Sequence, residues 1–231
     1  MSRIHLIGGE KGGVGKSTVA RVLTQWCIDR NHPFAAADAD VSHGSLTRAY
    51  GEFSQPIDLT SFASADEIMD RALAADRRVI VDLPAQSARL LESWLESGDV
   101  LRFAREAGVS LTLWHVSDGG FDSVKDFGRV LDRFGDQLRY VAVKNAGRAR
   151  DFRQFDESEA SKRLEAYGGR VITLPELDSA TMYAIDSSGA SLWSAAHRGE
   201  GEGSLKPMER QRTRLWLDRC YEAIESLGDT V

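Results

Sequence analysis

At residues 9–18 the chain reads GEKGGVGKST. Glycines at this spacing let backbone N–H groups turn inward around phosphate groups, while a lysine supplies charge and a hydroxyl can hold magnesium. Glu10 takes the place of the first glycine in the general pattern GxxxxGK[ST]. An apolar run precedes the loop and a segment of helical period follows it, as this motif requires. The stretch therefore predicts a phosphate-binding loop made of Gly12, Gly13, Val14, Gly15, Lys16, Ser17 and Thr18.

Short apolar runs alternate with longer segments of helical period along the rest of the chain, which favours an α/β fold with a mostly parallel twisted sheet and helices on both faces. Six strands are predicted, at residues 4–8, 34–37, 78–82, 109–116, 138–144 and 170–174. Helices are predicted at residues 16–30, 65–75, 87–107, 121–134 and 158–167, with Gly135 and Gly168 as C-terminal caps.

The last predicted helix starts near Pro207, a residue favoured in the first turn of a helix. Its apolar residues follow at spacings that form one stripe, so we expect it to pack against the body of the protein. GEGEGS at residues 199–204 is typical of a flexible loop. A length of 231 residues with 42% hydrophobic residues is enough for one sizeable core, so we expect one domain over residues 1–231. The stripe consists of Trp216, Cys220, Ala223, Ile224 and Leu227.

The charge, cysteine content and hydrophobic runs of the sequence argue against several classes of protein. Lys and Arg number 29 against 35 Asp and Glu, giving a net charge of −6, so any DNA binding must come from a local patch. Cys27 and Cys220 are the two cysteines, which argues against a disulfide framework or a CxxC metal site and favours free buried thiols. No run of sequence has the roughly 18 apolar residues of a membrane span and no signal peptide is evident. We therefore expect a cytoplasmic protein.

Three aspartates follow predicted strands, where a parallel sheet presents its carboxyl ends to a ligand. Asp38 and Asp40 lie two residues apart after the second strand, and Asp82 ends the apolar run RVIVD. Asp82 is the candidate for holding magnesium through water. On the residues alone, Asp38 and Asp40 could also form a turn and a helix cap, and apolar runs that end in aspartate are common.

KGGVGKST with a lysine before the glycine pair resembles the deviant Walker A motif of the ParA/MinD ATPases. The resemblance implies that ATP and Mg2+ are bound and that Lys11 reaches the phosphates of a partner's ATP in a homodimer; a solvated surface lysine is the alternative. ADADVS is similar to the family's DxD switch, which places Asp38 near magnesium, with Ser17, and gives Asp40 the role of orienting the attacking water. DLPA, which contains Asp82, resembles the family's DxP switch.

The resemblance extends to the base-binding end of the site. In this family two strand ends, matched here by Asn145 and Pro175, frame the adenine. An amide can pair with a base edge as donor and acceptor together, although Asn145 could also be an ordinary turn residue. The matches span residues 3 to about 195. The stretches VIVDLPAQSARLL, LTLWHVSDGGFDSV and VAVKNAGRARDF look most like the plasmid transfer and stability members of the TraL, MobD and StbB type.

Partition-type members bind DNA nonspecifically through basic residues assembled across the dimer. Two clusters are candidates, although either could be a solvated face. We expect no membrane partner, because the membrane-bound relatives append a basic amphipathic helix and this sequence stops at LGDTV. The clusters are Arg148, Arg150 and Arg153, and Lys206, Arg210, Arg212, Arg214 and Arg219.

Three functions therefore remain open at the level of sequence. The first is an ATP-dependent dimeric switch that hydrolyses ATP slowly and positions DNA or a protein cargo, with a partner protein that stimulates hydrolysis. The second is a metabolic ligase or synthetase on the same fold, although such enzymes usually lack a lysine like Lys11. The third is a nucleotide-binding regulator with little hydrolysis.

Overall fold

Seven parallel strands form one sheet in a computed structural model that describes residues 1–199 and 204–231. The order across the sheet is β3-β2-β4-β1-β5-β6-β7. The predicted α/β class is thereby confirmed, whereas most of the loop predicted at residues 199–204 lies outside the described residues. The strands are β1 Arg3–Gly8, β2 Phe34–Asp38, β3 Ser54–Pro56, β4 Arg78–Asp82, β5 Ser110–Ser117, β6 Arg139–Asn145 and β7 Arg170–Leu174.

Helices connect the strands and cover both faces of the sheet. The helices at 121–134 and from Pro207 confirm the predictions, and Gly135 and Gly168 follow their helices with φ of 53° and 68°. The helices of the described residues are α1 Lys16–Asp29, α2 Ser45–Tyr50, α3 Phe62–Ala74, α4 Ala88–Ser97, α5 Val100–Glu106, α6 Phe121–Phe134, α7 Arg153–Asp156, α8 Glu159–Ala166, α9 Ser179–Ser188, α10 Leu192–His197 and α11 Pro207–Glu225.

The strands are apolar throughout because both faces of the sheet are buried. In β4, Val79 and Val81 face one core while Ile80 faces the other. Helices α3 to α8 pack on the first face, and α1, α2, α9, α10 and α11 pack on the second. The predicted stripe of α11 belongs to this second core, and both cysteines are buried free thiols.

Two sequence predictions of elements were wrong. The single helix expected at residues 87–107 is two helices, α4 and α5, because Asp99 adopts a left-handed conformation with φ of 47° and turns the chain. The six expected strands are seven, because β3 adds a three-residue strand at the sheet edge. Its sequence, Ser-Gln-Pro, lacks apolar alternation, and proline is tolerated at an edge where its missing N–H costs no ladder bond.

Every strand runs in the same direction, so the carboxyl ends of β1, β2, β4, β5 and β6 meet at one edge of the sheet. The loops that leave this edge carry the glycine-rich stretch, the three aspartates and Asn145. Within the described residues, no helix is long and apolar enough to cross a membrane.

Candidate functional site

The glycine-rich loop connects β1 to α1 and depends on glycine at two positions. Gly15 has φ of 101°, and a Cβ there would lie 2.2 Å from Asn145 Nδ2. Gly9 has φ of 143°, and a Cβ there would lie 2.9 Å from the Val116 carbonyl oxygen. L-residues rarely adopt these conformations and the space is already filled, so both positions require glycine.

The loop borders a cavity of about 450 Å³ at the N-terminus of α1. Lys16 is buried, and its Nζ donates to the Lys11 carbonyl oxygen at 3.0 Å. Burial lowers the pKa of Lys16, while the nearby carboxylates of Asp82, Asp40 and Glu10 oppose that shift. Predicted residues that line the cavity are Gly12, Gly13, Gly15, Lys16, Ser17, Thr18 and Asp40. Arg21, His43, Arg48, Arg148 and Asp186 also line it.

Glu10, which replaces the first glycine of the motif, connects the loop to the segment after β4. Its Oε1 accepts a hydrogen bond from the Ala88 N–H at 2.8 Å, and its carbonyl oxygen accepts one from the Gln86 N–H at 3.1 Å. Ser87, the residue before α4, makes no side-chain cap of its own. Glu10 therefore acts as the N-terminal cap of α4 from 78 residues away in sequence.

Asp82 ends β4 as a fully buried carboxylate. Neither of its oxygens has a hydrogen-bond partner among the described residues. Burial raises its pKa to about 7 and outweighs the nearby Ser17 hydroxyl and Lys16 ammonium, which lower the pKa although neither makes a well-formed hydrogen bond to Asp82, while Asp38 raises it further. A buried carboxylate without donors is unstable unless it meets a cation or a proton. These two oxygens therefore fit magnesium, directly or through water.

Asp38 and Asp40 organise the turn that follows β2. The Asp38 carboxylate accepts from the Asp40 N–H at 3.1 Å and from the Thr47 N–H in α2 at 2.9 Å. Asp40 accepts from the Ser42 hydroxyl at 2.7 Å, and its carbonyl oxygen accepts from the Gly44 N–H at 2.7 Å. The turn-and-cap arrangement left open by the sequence is thus present. It leaves Asp38 oxygens with free lone pairs close to Asp82, its direct partner in the sheet.

Lys11 lies on the outer side of the loop, where its side chain is 44% exposed. Its Nζ forms an ion pair with Asp118 Oδ2 at 2.5 Å, and this bond raises the pKa of Lys11. Asp118 follows β5 and also accepts from the Gly120 N–H at 3.1 Å. In the isolated chain, the ammonium of Lys11 is therefore paired with a carboxylate of the same chain.

The predicted base-binding residues line a second cavity of about 260 Å³ beside the first. Thr18, Arg148 and Asp186 border both cavities. Asn145 is buried at the end of β6; its Nδ2 donates to the Val14 carbonyl oxygen at 2.7 Å and its Oδ1 accepts from the Gly147 N–H at 3.0 Å.

These two bonds of Asn145 fix the glycine-rich loop against β6. The carbonyl oxygen of Pro175, the other residue predicted at this end, accepts from Trp216 Nε1 at 2.7 Å. That contact holds the end of β7 against α11.

Some arginines of the two basic clusters already contact other groups of the protein. Arg153 forms a bidentate pair with Asp151, whereas Arg148 is exposed and lines both cavities. In the second cluster, Arg210 and Arg214 donate to the Leu205 and Ala196 carbonyl oxygens at 2.8 and 3.0 Å. The pair with Asp151 offsets the charge of Arg153, whereas the bonds to carbonyl oxygens hold Arg210 and Arg214 against the protein and leave them charged.

Asp118 and His43 are among the residues of this site that the sequence analysis did not identify. Asp118 follows a buried strand, the same signal that identified Asp38 and Asp82, and could have been found by it. His43 shows no ligand spacing with another histidine, but it lies three residues after Asp40, a distance that a tight turn brings into contact.

The chain is similar to known proteins in sequence and in fold. No protein-family model matches the chain. The protein TraL of Escherichia coli is 24% identical over 98% of both chains. The protein MobD of Acidithiobacillus ferrooxidans is 26% identical over 75% of this chain and 78% of its own length.

Solved structures share the fold at lower identity. The septum site-determining protein MinD of Pyrococcus horikoshii, solved with Mg-ADP, has a TM-score of 0.57 at 16% identity and covers 100% of this chain and 99% of its own. MinD of Aquifex aeolicus, solved in complex with MinC, has a TM-score of 0.56 at 13% identity, with coverage of 100% and 98%. The resemblance stated from the sequence is thus confirmed: the chain is ParA/MinD-like in fold and similar to TraL and MobD.

Proposed function

We propose that this chain is an ATPase that dimerises when it binds ATP, hydrolyses it slowly and thereby positions DNA or a protein cargo. The observation that carries the proposal is the cavity at the carboxyl edge of the sheet in which Lys16, Ser17 and Asp40 lie together. A glycine-rich loop at a helix N-terminus supplies N–H donors to phosphates. Asp40 is proposed to orient water against the last phosphate, which is a sufficient device for phosphoryl transfer.

Ser17, Asp38 and Asp82 are the residues proposed to hold magnesium. The two unpartnered oxygens of buried Asp82 support this assignment. No group of three or more His, Cys, Asp or Glu side chains within the described ranges is arranged to hold a metal, so phosphate and water oxygens must complete the shell, as is usual for this ion. When bound, magnesium neutralises charge on the phosphates.

Lys11 is proposed to act across the dimer on the partner's ATP. Its position outside the cavity supports this role, because Lys16 lines the cavity and would already serve the phosphates bound there. For this contact Lys11 must exchange Asp118 for a phosphate, which carries more charge. Dimerisation thereby becomes dependent on a triphosphate in the partner.

Asn145 and Pro175 are proposed to accommodate the adenine base, because they line the cavity that continues from the phosphate site. Through its bond to the Val14 carbonyl oxygen, Asn145 would also couple the base to the loop. Val14 contributes backbone rather than side chain, since its side chain is buried in the core.

We propose that the protein acts in the cytoplasm, and the similarity to TraL and MobD supports a role in plasmid partition, stability or conjugal transfer. The cargo and the protein that stimulates hydrolysis would then come from the same system, as MinC accompanies MinD in the Aquifex aeolicus structure. Arg148, which lines the cavities, and Arg150, whose side chain is 90% exposed beside Glu176, are the candidates we propose for DNA contact. Nonspecific DNA binding through them would be strongly salt-dependent.

Sedimentation velocity with no nucleotide, with ADP and with ATP tests the proposal, in the presence and absence of nonspecific duplex DNA. We expect a dimer only with ATP, and DNA bound by that dimer at about 50 mM salt but weakly at about 200 mM. Lys11→Ala should bind ATP and remain monomeric, whereas Lys16→Ala should lose ATP binding. Arg129→Ala, on the outer face of α6, is the matched control. A wild-type monomer in saturating ATP would refute the dimeric switch.

A further inference from the structure

We propose that His43 is the proton acceptor for the water that attacks ATP, with Asp40 as the residue that orients its imidazole. This inference rests on the proposed ATPase function and adds a residue to it. The evidence is the hydrogen-bonded turn at residues 40–44 and the placement of both side chains on the wall of the phosphate cavity.

The geometry fixes which nitrogen of His43 carries the proton. Nδ1 lies 3.2 Å from both carboxylate oxygens of Asp40. A carboxylate only accepts hydrogen bonds, so Nδ1 must be the donor. Nδ1 also lies 3.0 Å from the Ser42 oxygen, whose hydrogen is directed to Asp40 Oδ1. In the neutral ring Nε2 is therefore the nitrogen with a free lone pair.

His43 lines the cavity with a side chain that is largely open to solvent. The His43 side chain is 79% exposed, whereas the Asp40 side chain is 18% exposed. Nε2 makes no hydrogen bond within the described part of the chain, although Nδ1 has two partners. A histidine held at Nδ1 by a carboxylate with Nε2 free is the arrangement that general-base catalysis uses.

The turn itself places the pair. Asp40 accepts at its carbonyl oxygen from the N–H groups of His43 and Gly44 at 3.2 and 2.7 Å, and Gly44 has φ of 52°. The Asp40 N–H is in turn bound to Asp38. One chain of bonds therefore connects β2, the candidate magnesium residue and the imidazole.

In the proposed step the water oxygen forms a bond to the γ-phosphorus while Nε2 of His43 takes the water proton. The bond between the γ-phosphorus and the bridging oxygen breaks, and ADP leaves with that electron pair. The imidazolium, stabilised by Asp40, then releases its proton to solvent. The other charged side chains that line the cavity around His43 are Lys16, Arg21, Arg48, Arg148 and Asp186.

Single-turnover ATP hydrolysis by the full chain tests the inference between about pH 5.5 and pH 8.5. The protein is in excess over ATP, and Mg2+ is present. We expect the wild-type rate to rise with pH, because a general base acts in its unprotonated form. His43→Ala should lower the plateau about 100-fold, flatten the profile and leave ATP affinity unchanged. Added imidazole should restore part of the His43→Ala rate, because the vacated position is open to solvent.

Two controls separate chemistry from structure. His197→Ala removes an exposed histidine at the end of α10 and should behave as wild type. Asp40→Ala should not be rescued by imidazole, because the group that orients the ring is gone. If His43→Ala hydrolyses ATP as fast as wild type, or if imidazole does not restore its reduced rate, the role of His43 is overturned while the proposed ATPase function stands. A wild type that binds ATP without hydrolysing it would overturn this inference and the proposed ATPase together.

Discussion

Two aspartates that face each other in the sheet have opposite environments, and their substitutions should have opposite effects on stability. Asp82 is a buried carboxylate without donors, whereas Asp38 accepts two backbone N–H groups. At pH 8 without nucleotide or magnesium, we expect Asp82→Asn to raise the free energy of unfolding by at least about 1 kcal/mol, because it removes an unpaired buried charge. Urea unfolding measures the change.

Asp38→Asn is the matched control in the same register. An amide nitrogen cannot accept the N–H of Asp40 or Thr47, so this variant should lose about 1–2 kcal/mol of stability. Asp82→Asn should also abolish ATP hydrolysis while it stabilises the fold. A destabilised Asp82→Asn protein would show that Asp82 is satisfied in solution by groups of the protein itself.

The ion pair between Lys11 and Asp118 predicts a change in dimer affinity. The bond must break before Lys11 can reach a partner's phosphates, so Asp118→Asn should tighten ATP-dependent dimerisation about two- to fivefold, the modest effect expected of an exposed pair. Sedimentation equilibrium with ATP measures the dimer dissociation constant. Asp122→Asn is the control. Asp122 lies in the first turn of α6, and the substitution removes a charge near Lys11 but leaves the bond between Lys11 and Asp118 intact.

A weaker dimer in Asp118→Asn would contradict this reading, because Asp118 would then hold Lys11 in the conformation that the dimer needs. The effect should also shrink as salt is raised, since exposed charges are screened. In a Lys11→Ala background, Asp118→Asn should have no effect on dimerisation.

Sequence reasoning located the site where a side chain's position follows from a strand end. Asp38, Asp40 and Asp82 were predicted by that rule and lie at the expected edge of the sheet. It failed for contacts between residues distant in the chain, such as the bond from Asn145 to Val14 across 131 positions. Which partner a polar group finds across the sheet is set by packing, and no local pattern encodes it.

At the scale of elements, Glu10 predicts that completing the phosphate-loop motif should weaken the protein. Glu10→Gly restores the first glycine of GxxxxGK[ST] but removes the cap of α4. We expect a loss of about 1 kcal/mol and a melting temperature lower by about 2–4 °C. Glu10→Gln keeps an oxygen acceptor for the Ala88 N–H and should retain most of the stability. Thermal unfolding without nucleotide measures both.

Glu52→Ala, at an exposed position without an ion pair in the described residues, controls for loss of one negative charge. A Glu10→Gly protein as stable as wild type would mean that water caps α4 equally well. Equal losses in Glu10→Gly and Glu10→Gln would assign the effect to charge rather than to the cap.

Helices were predictable where the hydrophobic periodicity and the capping residues indicated the same bounds. In α6 the observed bounds match the predicted ones. Short polar elements escaped. Helix α9 is capped by Asp178, which accepts from the Thr181 N–H at 3.0 Å, and ends at Gly189 with φ of 64°. Both signals are present in the sequence, but the helix carries only two buried residues, so its apolar period is too weak to detect.

At the scale of the whole molecule, buried histidines make the fold sensitive to acid. Burial lowers the pKa of His5 to about 3 and that of His115 to about 4. Below its usual pKa of about 6.5, each histidine binds a proton in the unfolded chain but not in the folded one. Each therefore lowers the free energy of unfolding as pH falls, by up to about 1.4 kcal/mol per pH unit.

Asp82 acts in the opposite direction. Its pKa of about 7 in the folded state means that the folded chain holds a proton that the unfolded chain releases until about pH 4. Two histidines against one aspartate contribute a net loss of about 1.4 kcal/mol per pH unit between about pH 6.5 and pH 4.5, and His32, whose pKa burial also lowers, adds a loss in the same direction. Urea unfolding without nucleotide or magnesium measures this slope.

Two variants separate the contributions to this slope. Asp82→Asn removes the opposing group, so its stability should fall about twice as steeply as that of wild type. His115→Asn should flatten the dependence, because a neutral amide does not titrate, even though it loses the stacking of His115 on Phe127 at 4.5 Å. Stability that is flat or increases as wild-type protein is acidified from about pH 6.5 to pH 4.5 would mean that the buried histidines become protonated within the folded core.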